Sequence, residues 1–249
     1  MKWNAEEYTK NFSFVHKYGS DVLELLDLEK GMSVLDLGCG NGALTIQIAE
    51  TGARAVGLDD SRDLLQVARK AFPQLEFIQA DAADFHLEEQ FDVVFSNAVL
   101  HWIKREKQPR VLQCVREALK PSGQFVFEFG GLGNNQRIHA ALERVFAERG
   151  LEYKMPFYFP SIGEYATLLE QAGFRVTYMT LFDRLTRLNG ENGLADWIHM
   201  FVQNPFKGVD YADKEDIIKQ AVDLLREDLL RDGVWYADYV RIRGSAVLQ

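Results

Sequence analysis

The chain has 249 residues, 47% apolar and 26% charged, and its 37 acidic against 28 basic residues give a net charge of −9. This is the composition of an ordinary soluble globular protein, and its acidity speaks against a broad nucleic-acid-binding surface, though not against a local basic groove. No run of about 18 apolar residues exists to cross a membrane, and the polar, acidic start Met1-Lys2-Trp3-Asn4-Ala5-Glu6-Glu7-Tyr8 lacks the apolar stretch of a secretion signal.

Residues 5–27 read as mostly helical, closing near Gly31. Residues 33–37 form a first strand and 43–50 its helix; residues 53–58 form a second strand. Asp60 or Ser61 then caps a helix with Leu64, Leu65, Ala68 and Phe72 at helical spacing, stopped by Pro73. Residues 75–79 are a third strand. Residues 91–96 are a fourth, almost wholly apolar and therefore central. A helix over 106–119 closes in the turn Lys120-Pro121-Ser122-Gly123, and 124–129 is a fifth strand. Asn134 or Asn135 opens a helix to about Glu148. Farther on, 162–172 is helical up to Gly173, 174–182 is a strand, 194–203 and 213–231 are helical, and 235–247 is a final strand.

Strand and helix in alternation predict a mostly parallel sheet with helices on both faces. The helices between the last two strands read as a cap over the carboxyl edge, where open α/β sheets bind ligands. With no repeat, low-complexity tract or flexible linker, a single domain is expected over 1–249. It comprises a core of about 30–130, an N-terminal helical lid of about 1–29 and a cap of about 183–232.

The most informative stretch is Val34-Leu35-Asp36-Leu37-Gly38-Cys39-Gly40-Asn41-Gly42, running straight into the amphipathic Ala43–Ala49. A buried strand, a glycine turn and a helix start make a cradle for a nucleotide-type cofactor, because glycine bends sharply and the helix start offers unpaired N–H groups. The turn satisfies a loose dinucleotide fingerprint as well, so a nicotinamide enzyme enters the field. Three acids in a row suit a cationic ligand better than a diphosphate, although the first of them fits a nicotinamide cofactor equally well. Asp59 ends the second strand and can accept both hydroxyls of a ribose. Asp36 stands two residues before the first glycine, where it would repel a pyrophosphate but attract an ammonium or sulfonium. Asp81, after the third strand, can accept from an adenine amino group. Cys39 and Cys114 are the two cysteines; the first lies inside the turn, so reduced thiols in a cytoplasm are expected and a zinc site is not.

Asp36-Leu37-Gly38-Cys39-Gly40-Asn41-Gly42, Gly57-Leu58-Asp59-Asp60-Ser61, Gln79-Ala80-Asp81-Ala82 and Phe91-Asp92-Val93-Val94-Phe95-Ser96-Asn97 resemble, in order and spacing, the successive motifs of class I S-adenosylmethionine-dependent methyltransferases. The resemblance spans about residues 30–130. It implies a Rossmann-like seven-stranded sheet whose last strand is antiparallel. It also implies that the turn from Gly38 to Gly42, Cys39 included, lies along the methionine part of S-adenosylmethionine. Asp59, with Asp60 beside it, would hold the ribose. Asp81 and the Ala82 backbone would meet the adenine, and Asn97 the methionine end. The product would be S-adenosylhomocysteine, with no metal. A narrower similarity joins Trp3–Tyr8, Ser96-Asn97-Ala98-Val99-Leu100-His101-Trp102 and Glu128-Phe129-Gly130-Gly131-Leu132-Gly133-Asn134 to the trans-aconitate methyltransferase-like, or methyltransferase type 11, group, which acts on small carboxylic acids.

These readings lead to a methyltransferase acting on a small-molecule acceptor, a carboxylate or another oxygen nucleophile. Neither nucleic acid nor stable membrane association is expected. His101 and Trp102 are candidates for positioning or base chemistry, the alternative being a packed histidine and a core indole. Trp3 and Tyr8 either cover the cofactor or pack the first helix. Arg137, Trp197 and His199, with Phe201, are candidate acceptor contacts, and Arg184 and Arg187 further anchors for an anion; His16 and Trp235 stay open between site and core. Competing functions are a cyclopropane-synthase-like lipid-modifying enzyme and a cofactor-binding module without catalysis.

Overall fold

A computed structural model describes residues 21–249 of the protein. Trp3, Tyr8, His16 and most of the expected N-terminal lid lie outside the described residues. The chain divides into two compact units. The first comprises residues up to Phe129 together with Pro160–Leu181 and Ile242–Gln249; the second comprises Gly130–Phe159 and Phe182–Arg241.

The sheet is built from β1 (Ser33–Leu37), β2 (Arg54–Asp59), β3 (Glu76–Gln79), β4 (Phe91–Asn97), β5 (Leu119–Gly130), β6 (Phe174–Arg187) and β8 (Val234–Leu248), in the order β3-β2-β1-β4-β5-β8-β6. β1 pairs in parallel with β2 and β4, β2 with β3, and β4 with β5. The last strand enters antiparallel, between β5 and β6. Strand order reverses between β1 and β4, and at such a switch point the loops on either side diverge and leave a crevice at the carboxyl ends.

Burial explains why these segments are strands. Val34, Leu35 and Leu37 of β1 and Val94 and Phe95 of β4 are wholly inaccessible, as a strand covered on both faces requires. On one side Val34, Ala55, Val93, Phe95 and Val126 pack against Leu44 and Ile48 of α1 (Ala43–Glu50) and against Val22 and Leu26. On the other side Phe77 meets Cys39 and Leu65 and Ala68 of α2 (Arg62–Ala71). α2 opens where expected, Ser61 Oγ accepting the Leu64 N–H. α3 (Gln108–Ala118) follows β4. Farther along, Phe127 and Phe129 of β5 meet Tyr165 of α5 (Ile162–Gln171) edge-on.

In the second unit α4 (Gln136–Glu148) packs along α7 (Tyr211–Leu224), and α6 (Gly193–Phe201) packs on α7 as well. Phe146 meets Tyr153 and Phe206 edge-on within this core.

Two local expectations need correction. The turn at residues 120–123 does not precede β5 but bulges out of it: Leu119 pairs with Phe91, and pairing resumes at Gln124 with Val93. Pro121 has no N–H for the ladder and Ser122 takes a left-handed φ of 63°, so the segment loops out while Lys120 Nζ grips Asp92. Helix does not continue through residue 231. α8 (Arg226–Leu229) stops before a short strand β7 (Leu230–Arg231), which pairs antiparallel with Val234 and Trp235. Asp232 and Gly233 both have positive φ, the requirement of a tight two-residue hairpin, and this Asp-Gly pair signals one. With β7 the described residues contain eight strands.

Candidate functional site

The carboxyl end of β1 turns through Gly38, Gly40 and Gly42, all at positive φ (81°, 55° and 79°). The three glycines serve different ends. A Cβ on Gly38 would lie 2.1 Å from a methyl of Val99, and one on Gly42 2.8 Å from the Phe77 ring. Both faces are filled by protein. A Cβ on Gly40 would find only Leu64 Cδ1, at 3.9 Å. Gly40 is thus the member of the three with open space beside its α-carbon, and the place where a ligand can approach the backbone. Cys39 is 7% exposed and joins the cluster of Leu65, Ala68 and Phe77, so its side chain belongs to the core. Burial and the nearby carboxylates of Asp36 and Asp59 push its thiol far above the usual range, which keeps it protonated and unreactive.

Asp59 ties β2 to this turn. Its Oδ2 accepts the Gly40 N–H at 2.9 Å and its Oδ1 accepts the Ser61 N–H at 2.8 Å. Each carboxylate oxygen keeps a second lone pair, so two further donors can be taken. Burial raises its pKa, against the pull of these backbone donors. Asp60 is exposed. Asp36 is only 2% exposed, with the Thr45 hydroxyl donating to Oδ2 at 2.6 Å. Burial raises its pKa to about 7, Thr45 opposes the shift and Asp59 adds to it. Asp36 is therefore poised to ionise when a positive group enters nearby.

After β4, Ser96 Oγ donates to the Leu37 carbonyl at 2.8 Å and fastens β4 to the end of β1. Asn97 follows, and its Oδ1 is buried without a hydrogen-bond partner. A buried amide oxygen left unpaired costs about 1–3 kcal/mol, so this acceptor calls for a donor. Ala98 adopts a left-handed φ of 61° and donates its N–H to the Glu128 carbonyl at the end of β5, at 2.7 Å. His101 and Trp102 lie in a 3-10 turn, Leu100–Trp102, their rings 5.4 Å apart and tilted; His101 is buried and Trp102 half-buried. Gln108 Nε2 pins this turn by donating to the carbonyls of Leu100 and Ile103, both at 2.9 Å.

Asp81 sits after β3 in an Asx-type turn, its Oδ1 accepting the Ala83 N–H at 2.8 Å. Lys107 Nζ comes within 3.9 Å of the carboxylate, which is more than half exposed, and Ala82 is half-buried. Asp36, Asp59, Asp81 and Asn97 thus all stand at or just past strand carboxyl ends of one unit, together with the glycine turn and His101.

The remaining candidates belong to the second unit. Arg137 is exposed, its backbone N–H donating to Asp238 Oδ2 at 2.8 Å. Trp197 is buried in that unit's core, where its indole N–H donates to the Tyr239 hydroxyl at 2.7 Å and its ring meets Phe201. His199 Nε2 lies 3.3 Å from Glu215, both partly exposed. Arg184 stacks over Phe182, and Arg187 is exposed. Trp235 is buried, with its indole N–H on the Glu191 carbonyl.

Several residues escape a reading of the sequence. Thr45, Val99, Phe77 and Gln108 give no signal of their own, because each acts on a residue that the fold, not the spacing, brings against it. Glu128 could have been found: it is an acid near the carboxyl end of β5, as Asp59 is at that of β2. It is 1% exposed and paired to Arg243 through Nε and Nη2, both at 2.7 Å. No group of three or more His, Cys, Asp or Glu suited to a metal occurs among the described residues, and no helix among them is long and apolar enough to cross a membrane.

Comparison with known proteins bears on the family. A family model described as a methyltransferase domain matches residues 34–123. The chain is 34% identical over 254 residues to an uncharacterized methyltransferase of Schizosaccharomyces pombe, covering 97% of this chain and 96% of that protein. It is 26% identical over 203 residues to a trans-aconitate 2-methyltransferase of an Enterobacter species, covering 79% of this chain and 77% of that enzyme. In fold it is similar to the crystal structure of a candidate methyltransferase from Bacillus halodurans, with a TM-score of 0.65 and 20% identity over 92% of this chain and 97% of that one. With a glycine turn at the switch point, acids ending successive strands and a relative that matches along nearly the whole chain, the protein belongs to the class I S-adenosylmethionine-dependent methyltransferases.

Proposed function

We propose that the protein methylates a small-molecule oxygen nucleophile, a carboxylate, at the expense of S-adenosylmethionine. The observation that carries the cofactor half is the unpartnered Asn97 Oδ1, a buried acceptor beside an acid-rich rim. It fits an ammonium donor such as that of a methionine moiety. The residues present suit the rest of the cofactor as well. Asp59 has lone pairs for two ribose hydroxyls while it still holds Gly40 and Ser61, and Gly40 leaves room at the backbone. Asp81 and Ala82 are the contacts proposed for the adenine, and Asp60 is a neighbour of the ribose. Trp3 and Tyr8 are proposed as cover.

S-adenosylmethionine, when bound, supplies a methyl group made electrophilic by its sulfonium. The protein's part is alignment and exclusion of water. Asp36, ionised by the approach of a cation, offers a negative charge in a site of low dielectric. Gln108 holds the turn that presents His101 and Trp102. A carboxylate acceptor is already anionic at neutral pH and needs no general base, so His101 positions rather than deprotonates. The similarity to trans-aconitate 2-methyltransferases supports this acceptor class. Arg137, Arg184 and Arg187 are the guanidinium groups proposed to hold the anion.

The test is incubation with methyl-labelled S-adenosylmethionine and a panel of di- and tricarboxylic acids, trans-aconitate included, with mass spectrometry of the products. Methyl esters are the expected outcome. Transfer confined to amines or to lipid chains, or no transfer from a cofactor that binds, overturns the reading. His101→Gln is expected to retain turnover within about threefold, since a positioning side chain of similar size and polarity replaces it; a loss of about 100-fold or more with cofactor affinity intact would mean proton transfer.

A further inference from the structure

The turn that follows β4 is fixed at three points, and one of them is the glycine turn itself. At its start Ala98, at a left-handed φ of 61°, donates its N–H to the Glu128 carbonyl at 2.7 Å. In its middle Val99 fills the space that a side chain on Gly38 would need. A Cβ on Gly38 would lie 2.1 Å and 2.7 Å from the two Val99 methyls and 2.9 Å from the Val99 Cβ. Gly38 is itself tied down, its N–H donating to the Leu58 carbonyl at 2.6 Å. The turn after β4 thus rests on the backbone of the glycine turn with no slack between them. Both belong to the first unit.

The third hold is Gln108. It opens α3 and is wholly buried. Its Nε2 donates to the Leu100 carbonyl and to the Ile103 carbonyl, each at 2.9 Å. Its Oε1 has no hydrogen-bond partner among the described residues. A buried acceptor left unpaired costs free energy that an apolar side chain of the same length, methionine, would not incur. The two donated bonds are therefore what the amide contributes here. α3 is a firm support for them, since Val111, Leu112, Cys114 and Val115 are all inaccessible to solvent. Between Val99 and Gln108 stand His101 and Trp102, in a 3-10 turn closed by the Trp102 N–H on the Val99 carbonyl at 2.9 Å.

We propose that Val99 and Gln108 are positioning residues: Val99 sets the His101–Trp102 turn against Gly38 and Gln108 locks it there, so that filling the glycine turn is felt at Trp102. The proposal rests on the reading of the glycine turn as the seat of S-adenosylmethionine, and adds what holds the His101–Trp102 turn at a fixed distance from it. Neither residue acts on the substrate directly. Close-packed groups cannot yield separately, so a displacement on one side of the Gly38–Val99 contact is passed to the other. The distance matters because a misplacement of about 1 Å at a reacting centre costs about a hundredfold in rate.

Fluorine NMR of protein labelled with 5-fluorotryptophan reads Trp102 without any methyl acceptor, and Trp102→Phe assigns its line. Calorimetry on the same samples measures S-adenosylhomocysteine binding. In wild type, saturation with S-adenosylhomocysteine is expected to move the Trp102 line. Val99→Thr keeps the branched shape and should retain that response. Val99→Ala removes both methyls and should cut it to about a third or less. Gln108→Met keeps the length but loses the donors; it should do the same, and broaden the line before ligand is added. All three variants should bind S-adenosylhomocysteine within about threefold of wild type, a separation that mere support of the fold does not produce. On the acid that the carboxylate panel identifies, Val99→Ala and Gln108→Met should lower kcat about tenfold at little-changed KM. A Trp102 line that stays put in wild type with S-adenosylhomocysteine bound, a response that survives Val99→Ala, or an undiminished kcat overturns the proposal. Affinity lost in step with the response overturns it too, since Val99 would then only shape the glycine turn. Should Gln108→Met fail to fold, Val99→Thr against Val99→Ala decides. Wild type that does not bind S-adenosylhomocysteine overturns the cofactor assignment instead. Binding without transfer to any acid overturns the carboxylate reading, and the fluorine response then decides the proposal alone.

Discussion

Two helix starts follow strands of the sheet, and they solve the same problem differently. α1 begins at Gly42 and α4 at Asn135; both residues are left-handed, and neither start receives a cap from its own side chain. By contrast α2, α5 and α7 are capped locally by Ser61, Ser161 and Asp210. At α1 the supporting contacts come from the next strand, where Asp59 holds Gly40 and Leu58 accepts from Gly38 and Cys39. At α4 they come from Asp238, about one hundred residues downstream. α3, α6 and α8 also begin without a side-chain cap, so an uncapped start is not by itself the mark of a ligand site. Each of these two starts is held by a carboxylate from another strand: Asp59 takes the Gly40 N–H and Asp238 the Arg137 N–H.

The comparison can be broken most severely at Asp36, behind the α1 turn. Its folded pKa is near 7 and an unfolded aspartate titrates near 4, so the fold is favoured below about pH 4 and loses stability as pH rises through 7. Asp36→Asn removes that loss. Its unfolding free energy should match wild type near pH 4 and exceed it by up to about 4 kcal/mol above pH 8, while cofactor affinity falls. Denaturant titrations at several pH values, in the absence of cofactor, check this; a gap independent of pH would sink it.

Next comes Asp59→Ala. It strips the turn of its tether and the proposed ribose of its acceptor, and calorimetry should record a loss of S-adenosylmethionine affinity of about 100-fold or more. Unchanged affinity contradicts the assignment.

The glycines give a sharper, smaller contrast. Gly38→Ala drives a methyl into Val99 at a strained φ and should cost about 2–4 kcal/mol of stability. Gly40→Ala meets open space, so only the backbone strain of about 1 kcal/mol remains, and the loss should fall on cofactor binding. Melting curves with and without S-adenosylhomocysteine separate the two; equal destabilisation would erase the distinction.

The smallest effect is expected at the other start. Asp238→Ala removes the remote cap of α4 and should cost about 1 kcal/mol. Hydrogen exchange should rise at the first turn of α4 and stay unchanged at α1.

Much of this molecule can be read without coordinates. Gly38-Cys39-Gly40-Asn41-Gly42 after an apolar strand is a local signal, its positive φ angles carried by the glycines themselves, although Leu58 and Asp59 of the next strand take its N–H groups. Asp59 and Asn97 stand at strand ends that alternation alone locates. Ser61, three residues before an apolar helical stripe, caps α2 as its spacing implies. The hairpin at Asp232-Gly233 was legible too, and was overridden by a helical period that fades before it. The bulge at 120–123 was not, since whether Leu119 joins the ladder depends on Phe91 in another strand.

What the chain determines by itself is therefore the set of short-range patterns: strand, glycine turn, helix, and an acid at the end of each early strand. These rest on φ preference, hydrophobic period and capping, all of which act within a few residues. Only the tertiary structure decides which glycine faces open space, that Cys39 turns inward, that burial lifts the Asp36 pKa to about 7, and that Asp238 reaches the start of α4. Burial, close approach and charge coupling depend on atoms that folding brings together from far along the chain, and no local pattern encodes them.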